Sequence, residues 1–362
     1  MKCRACGSEN VIKNGGGRVL CKDCGRSPVY KPQPPQAVPE GFIPNRTTSL
    51  VDNEGNVRLQ WVRSNADDEK RLNAINETLS AWAESLPKAK ASPAQGKHWL
   101  PQLAACYPIG DAHIGMRSWG EETGADFDLA IAERRQCAAM DALVKGAPRA
   151  ETAYIVNLGD WLHYDSLEAK TPRSGHLLDA DGRYAKVVRV AVRVMRQAVE
   201  SALRKHQKVH VVNAIGNHDE TGAIWLGIAL SQIYENEPRI SVDTSPSVFR
   251  YFEHGKCLVG VHHGHTCKPP NLPGVMAADQ PQAWGRTRHR YWWLGHVHHQ
   301  AVKEYPGVVV ESFNTLASND AYAASGGWRS RQQMQCIVLH AEHGEVARYS
   351  VNPGMLDEDH QV

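Results

Sequence analysis

Apolar and polar positions divide the chain into a largely polar first part and a strongly patterned remainder. From about residue 101, short apolar runs end in polar signatures: CYPIGDAH, YIVNLGD, VHVVNAIGNHD, CLVGVHHGH and YWWLGHVH. Apolar runs of this length, bounded by turn residues, read as strands. Between them lie segments with apolar residues three and four apart. The clearest, KVVRVAVRVMRQAVESALRK around 184–205, reads as an amphipathic helix. The alternation predicts an α/β layered domain over residues 101–352, followed by a flexible tail at 353–362. Ligands of such sheets gather at the carboxyl ends of strands, and every signature falls at such an end.

The preceding residues follow other rules. In 45–100, SLVDNEGNVRLQWVR predicts a hairpin turning at Asp52–Asn56. Leu72, Ile75, Leu79, Trp82 and Leu86 predict a helix over 67–86, stopped by Pro87. Residues 31–44, KPQPPQAVPEGFIP, hold five prolines and read as a stiff linker. Residues 1–30 have too few apolar side chains for a core. They carry Cys3-x-x-Cys6 and Cys21-x-x-Cys24, the spacing of a zinc ribbon in which one structural Zn²⁺ on four thiolates replaces the core.

Composition narrows the function classes. The 362 residues are 42% hydrophobic and 22% charged, with a net charge of +2, so the chain as a whole is no polycation. The charge is uneven, however. Residues 1–31 hold seven Lys and Arg against Glu9 and Asp23, a local excess of +5 that suits phosphate contacts. No run approaches the roughly 20 apolar residues of a membrane helix. The start of the chain has no apolar signal region, so a cytoplasmic protein without a membrane partner is expected. Nine cysteines, an odd number, argue against a disulfide framework.

The strand-end signatures supply Asp111, His113, Asp160, Asn217, His218, His262, His263, His296 and His298. Carboxylate, imidazole and amide oxygen together suit a borderline-to-hard divalent ion. One Asp between two such groups can bridge two ions that clamp a phosphate and activate a water. From the residues alone, His262 and His263 are alternatives for one position.

Asp111-x-His113, Gly159-Asp160, Gly216-Asn217-His218-Asp219, His263-Gly264-His265 and Gly295-His296-x-His298 stand in the order and rough spacing of the calcineurin-like metallophosphoesterases, which this chain resembles over about residues 104–312. The resemblance implies a four-layer sandwich of two mixed sheets flanked by helices. It implies a first metal on Asp111, His113 and His298, a second on Asn217, His263 and His296, and Asp160 as the bridge. His218 would assist the leaving oxygen, and Asp219 would orient His218. A ligand that precedes Gly favours His263 over His262. The expected cofactors are two divalent ions, Mn²⁺ first, with Fe²⁺, Zn²⁺ and Ni²⁺ compatible.

Within that family, Asp111-Ala-His113-Ile-Gly115 and Gly159-Asp160-Trp-Leu-His163 look like the double-strand-break-repair nucleases. That likeness implies a substrate-phosphate contact at His163. The arginine of the protein Ser/Thr phosphatases is missing here. Residues 1–28 also look like the zinc ribbons of some transposases. The expected activity is therefore phosphodiester hydrolysis in DNA, single- or double-stranded, with a small-molecule or nucleotide phosphatase as the alternative. Two loops, 165–183 with Arg173 and 317–331 with Tyr322, Trp328, Arg329 and Arg331, are candidate substrate contacts. GRTRHRYWW (285–293) adds positive charge ahead of the last motif. A homo-oligomer or partner protein is left open.

Overall fold

The computed structural model describes residues 2–3, 6–13, 19–25, 42–51, 56–66 and 98–357. It divides into two compact units, Met1–Thr78 and Leu79–Val362. The helix predicted over 67–86, most of the linker and the tail beyond residue 357 lie outside the described residues.

The first unit holds two small antiparallel pairs. Strands β1 (Val11–Lys13) and β2 (Val19–Cys21) pair between the two cysteine knuckles. Strands β3 (Phe42–Val51) and β4 (Val57–Ala66) form the predicted hairpin, with Arg46 opposite Arg63, Thr48 opposite Trp61 and Leu50 opposite Leu59. β3 takes in Pro44, so the stretch read as linker ends earlier than its last proline. Proline is tolerated here because a two-stranded ribbon has only edges.

The second unit contains two sheets. The strands of the first are β5 (Leu100–Ile109), β6 (Ala150–Asn157), β7 (Lys208–Asn213), β8 (Ile240–Val242), β14 (Met334–His340) and β15 (Gly344–Val351), in the order β15-β14-β5-β6-β7-β8. Those of the second are β9 (Arg250–His254), β10 (Cys257–His262), β11 (His289–Leu294), β12 (Ala301–Tyr305) and β13 (Val308–Ser312), in the order β12-β13-β11-β10-β9. Both sheets are mixed. β5, β6, β7 and β8 run parallel, as do β10, β11 and β13.

Alternate residues explain how the sheets meet. Cys106, Val156 and Val212 of one sheet share a buried cluster with Val259, Val261 and Trp293 of the other, and with Leu158 and Phe313 just past the ends of β6 and β13. The intervening residues point outward. On the far side of the second sheet, Leu258, Trp292 and Val310 pack with Leu272, Met276 and Ala283, which lie on two short helices. On the far side of the first lie helices α1 (Leu129–Gly146), α2 (Tyr184–Leu203) and α3 (Glu220–Ile233). Asp128 caps α1, its carboxylate accepting the Ile131 N–H at 2.7 Å. The result is the expected layering of helix, sheet, sheet and helix. Parallel strands place their carboxyl ends on one edge, and there the loops after β5, β6, β7, β10 and β11 come together. No described helix is long and apolar enough to cross a membrane.

Candidate metal centre

Five non-glycine residues have a left-handed backbone: Asp111 (φ 45°), His113 (44°), Asp160 (52°), His296 (72°) and His298 (56°). No other described non-glycine residue has one. Each costs on the order of 1–3 kcal/mol and persists only where the surroundings impose it. All five come from the candidate ligand set. Strain of this kind collects at functional sites because side chains there must aim at a common point and not along a strand.

The aim is convergent. His113 Nε2 lies 3.1 Å from His298 Nε2, which is 3.3 Å from Asp111 Oδ1. His263 Nε2 lies 3.0 Å from both Asp160 Oδ2 and Asn217 Oδ1. His263 Nδ1 donates to the Leu158 carbonyl at 2.9 Å, which leaves a lone pair on Nε2 in the neutral ring. That lone pair faces two oxygens, an arrangement suited to a cation. For donors about 2.1 Å from an ion, neighbouring donors at right angles are about 3.0 Å apart. Two donor groups thus fit one ion each: Asp111, His113 and His298, and Asp160, His263 and His296. Asp111, His113, Asp160 and His263 form a buried floor, while Asn217, His218 and His298 are half-buried and His296 is exposed.

The electrostatics agree. Burial opposes charge on Asp160, yet His263 and His218 hold its carboxyl well below the usual range. Burial also works against a charged His263, but the Asp160 and Asp111 carboxylates raise it to about 9. The pair is a carboxylate beside a ring drawn to positive charge.

His262 and His263, adjacent at the end of β10, face opposite ways. His262 stacks on Phe249 at 4.9 Å and accepts the Gly264 N–H through Nδ1 at 2.9 Å. It turns away from the cluster that His263 enters.

Two expected site residues have distinctive surroundings. His163 is 1% exposed, and among the described residues its Nε2 has no hydrogen-bond partner. It lies behind His218 (5.3 Å, 23°), with Nδ1 3.1 Å from His113 Nδ1. Burial, then His218, lowers its pKa to about 3, keeping it neutral. Its carbonyl accepts His218 Nδ1–H at 2.8 Å. Asp219 does not reach the His218 ring. Its Oδ1 accepts N–H from Asp160 and Gly216, and its Oδ2 that of Leu162, so it ties two loops together. The His163 carbonyl thus holds His218, and Asp219 holds the Asp160 loop.

Sequence reading missed this loop scaffold. Asn157 and Asn213, buried at the ends of β6 and β7, bond to each other at 2.7 Å, and Asn157 accepts the Gly159 N–H. Thr315 Oγ1 donates to the Asp111 carbonyl at 2.6 Å. A lone Asn or Thr after an apolar run carries no distinguishing signal.

The motif glycines have a steric reason. A Cβ on Gly216 would lie 2.0 Å from Asp160 Oδ1 and 2.2 Å from its nitrogen; one on Gly159 (φ 95°) would lie 2.7 Å from His263 Nδ1. Gly216→Ala should therefore displace Asp160 and lower phosphodiester hydrolysis by about 10²-fold or more, as displacements near 1 Å do. Parallel loss of bound metal by elemental analysis is expected; wild-type activity would show that the loop yields freely.

The outlying candidates are dispersed. Arg173 pairs with Glu220 at 2.5 Å. Tyr322 and Trp328 are exposed and meet edge to face at 5.4 Å. Arg329 donates to the Ala324 and Trp328 carbonyls, and Arg331 is exposed. The exposed Trp119, absent from the sequence candidates, begins a short helix (Gly120–Thr123) that packs against Ala321–Ser325. The positive charge of 285–293 lies at the wrong end of β11. There Arg290 stacks on Trp284 at 4.2 Å and Arg286 pairs with Glu253.

In the first unit, Cys3 Sγ lies 3.7 Å from Cys24 Sγ, and Cys6 Sγ 3.6 Å from Cys21 Sγ. Four sulfurs about 2.3 Å from a tetrahedral Zn²⁺ are about 3.8 Å apart, so the four thiols fit one ion.

No family model matches the chain, and no curated protein matches it. Solved structures aligned with it include a conserved Streptococcus pneumoniae protein described as a predicted phosphoesterase (10% identity, 69% of this chain and 98% of that one, TM-score 0.29). Vps29 complexed with Zn²⁺ from Entamoeba histolytica aligns at 13% identity over 68% and 98% (TM-score 0.27), and PhoD at 9% over 70% of each chain (0.32). At these scores the functional reading rests on the site's own residues.

Proposed function

We propose that this chain is a dinuclear-metal phosphoesterase of the calcineurin-like superfamily, and that it is a nuclease acting on DNA. The observation that carries the hydrolase reading is the convergence of seven donors, five of them on left-handed backbone, around two ion-sized groupings. Asp111, His113 and His298 would hold one ion, Asn217, His263 and His296 the other, and Asp160 both. Bound there, the ions supply an activated water and offset charge on the phosphate. The protein supplies the geometry. Asp219 and Asp160 knit the loops, and the His163 carbonyl fixes His218 Nδ1–H. His218 Nε2 is then free to pass a proton to the departing oxygen on the open side.

DNA is favoured by the +5 charge of residues 1–31 and by the exposed aromatic rings of Trp119, Tyr322 and Trp328. A small phosphodiester is the second reading, favoured by the engagement of Arg173 with Glu220 and of Arg329 with backbone carbonyls. The deciding assay incubates the protein and Mn²⁺ with end-labelled single- and double-stranded DNA, beside bis(p-nitrophenyl) phosphate. Hydrolysis of the ester with DNA untouched across a range of salt removes the nuclease reading.

A further inference from the structure

The hairpin β3–β4 has a face that its own fold does not explain. Side chains alternate along a strand, so Arg46, Thr48 and Leu50 share one face with Arg63, Trp61 and Leu59 directly opposite. All six are exposed; Leu50, Leu59 and Trp61 are exposed by 55%, 48% and 56%. Like charges directly opposite each other destabilise a strand pair. A two-stranded hairpin is itself marginal in water. The described hairpin residues include Arg46, Arg58 and Arg63 and no Asp or Glu. Among the described residues, neither Arg46 nor Arg63 meets a carboxylate. The face thus joins two guanidinium groups, set directly opposite each other, to an indole, about 6.7 Å along the strand, and two leucines.

We infer that this face binds single-stranded nucleic acid, with Arg46 and Arg63 on successive phosphates and Trp61 stacked on a base. Phosphate removes the repulsion across the strands, which an apolar partner cannot do. The indole and leucines suit an unpaired base, whose flat face a duplex keeps stacked inside. The inference rests on the nucleic-acid reading above, naming the strand form and the part of the chain that holds it.

The test uses the full chain carrying Asp160→Asn to prevent cleavage, a labelled single-stranded oligonucleotide and its duplex, and anisotropy titrations over a series of NaCl concentrations. Arg46→Gln with Arg63→Gln should weaken single-strand binding and reduce the slope of log K against log salt by about 1.4, the share of two phosphate contacts. Trp61→Ala should weaken it about five- to a hundredfold with the slope unchanged. Trp61→Phe, which keeps a ring on the same strand, should restore most of the loss. In an otherwise native chain, these variants should leave bis(p-nitrophenyl) phosphate hydrolysis unchanged. Unaltered affinity and slope, tighter duplex binding, or a dimer lost on Trp61→Ala would each overturn the inference. The outcomes stay separable: DNA cleavage by the native chain tests the nuclease reading, and the variants' binding tests the hairpin.

Discussion

Asp160→Asn should lower phosphodiester hydrolysis by on the order of 10³-fold and deplete bound metal, while leaving the fold intact. The side chain is 1% exposed and keeps its shape on substitution, so the change is one of charge. Its Oδ2 faces His263 Nε2 at 3.0 Å, and its Oδ1 accepts the His218 N–H at 2.8 Å. Its carbonyl accepts the His113 N–H at 3.0 Å, and its own N–H reaches Asp219. One residue therefore ties both donor groupings to the loop bearing His218. An amide offers one weaker acceptor oxygen in place of two anionic ones, and two ions would lose their shared ligand. Elemental analysis beside initial rates and a thermal melt checks this. Native metal content with native rates would refute the bridge.

His218→Ala should keep the metals and lose the chemistry. His218 Nδ1 is committed to the His163 carbonyl, so its contribution lies at Nε2. Loss of a positioned general acid costs about 10²–10⁴-fold when the leaving oxygen is a poor one. A p-nitrophenolate leaving group needs little protonation, and its rate should fall far less. The diagnostic measurement is the ratio of the two losses, with metal content unchanged. Equal losses on both substrates would instead make His218 a residue that stabilises charge on the phosphate or aligns it. His113, His163 and His218 also form a third set of closely spaced nitrogens, so loss of an ion in this variant would return His218 to the ligands.

Much of the architecture was legible because its causes are local. A buried strand needs an uninterrupted apolar run, and the turn after it needs small and polar residues. Each candidate ligand therefore stood out at the point where one pattern gave way to the other. Gly159 and Gly216 stood out too, although the sequence could not say why. The reason is the nearness of His263 to one and Asp160 to the other, residues remote in the chain. The hairpin of β3 and β4 was similarly legible from alternation and a turn, but the pairing that sets Arg46 against Arg63 was not. Register depends on where the turn closes and on a bulge.

By itself, the sequence determined the order of strands and helices, the set of candidate donor residues and the two cysteine knuckles, because periodicity and spacing are properties of neighbouring residues. Tertiary structure alone decided which way each donor points. It separated His262 from His263, because adjacent strand residues face opposite sides. It placed the His163 ring beside those of His113 and His218, and the Asp219 carboxylate on the loop backbone. It also showed Arg173, read as a substrate contact, paired with Glu220. These are matters of direction and distance between segments far apart in the chain. They arise only when two sheets pack face to face and bring the carboxyl ends of five strands to one edge.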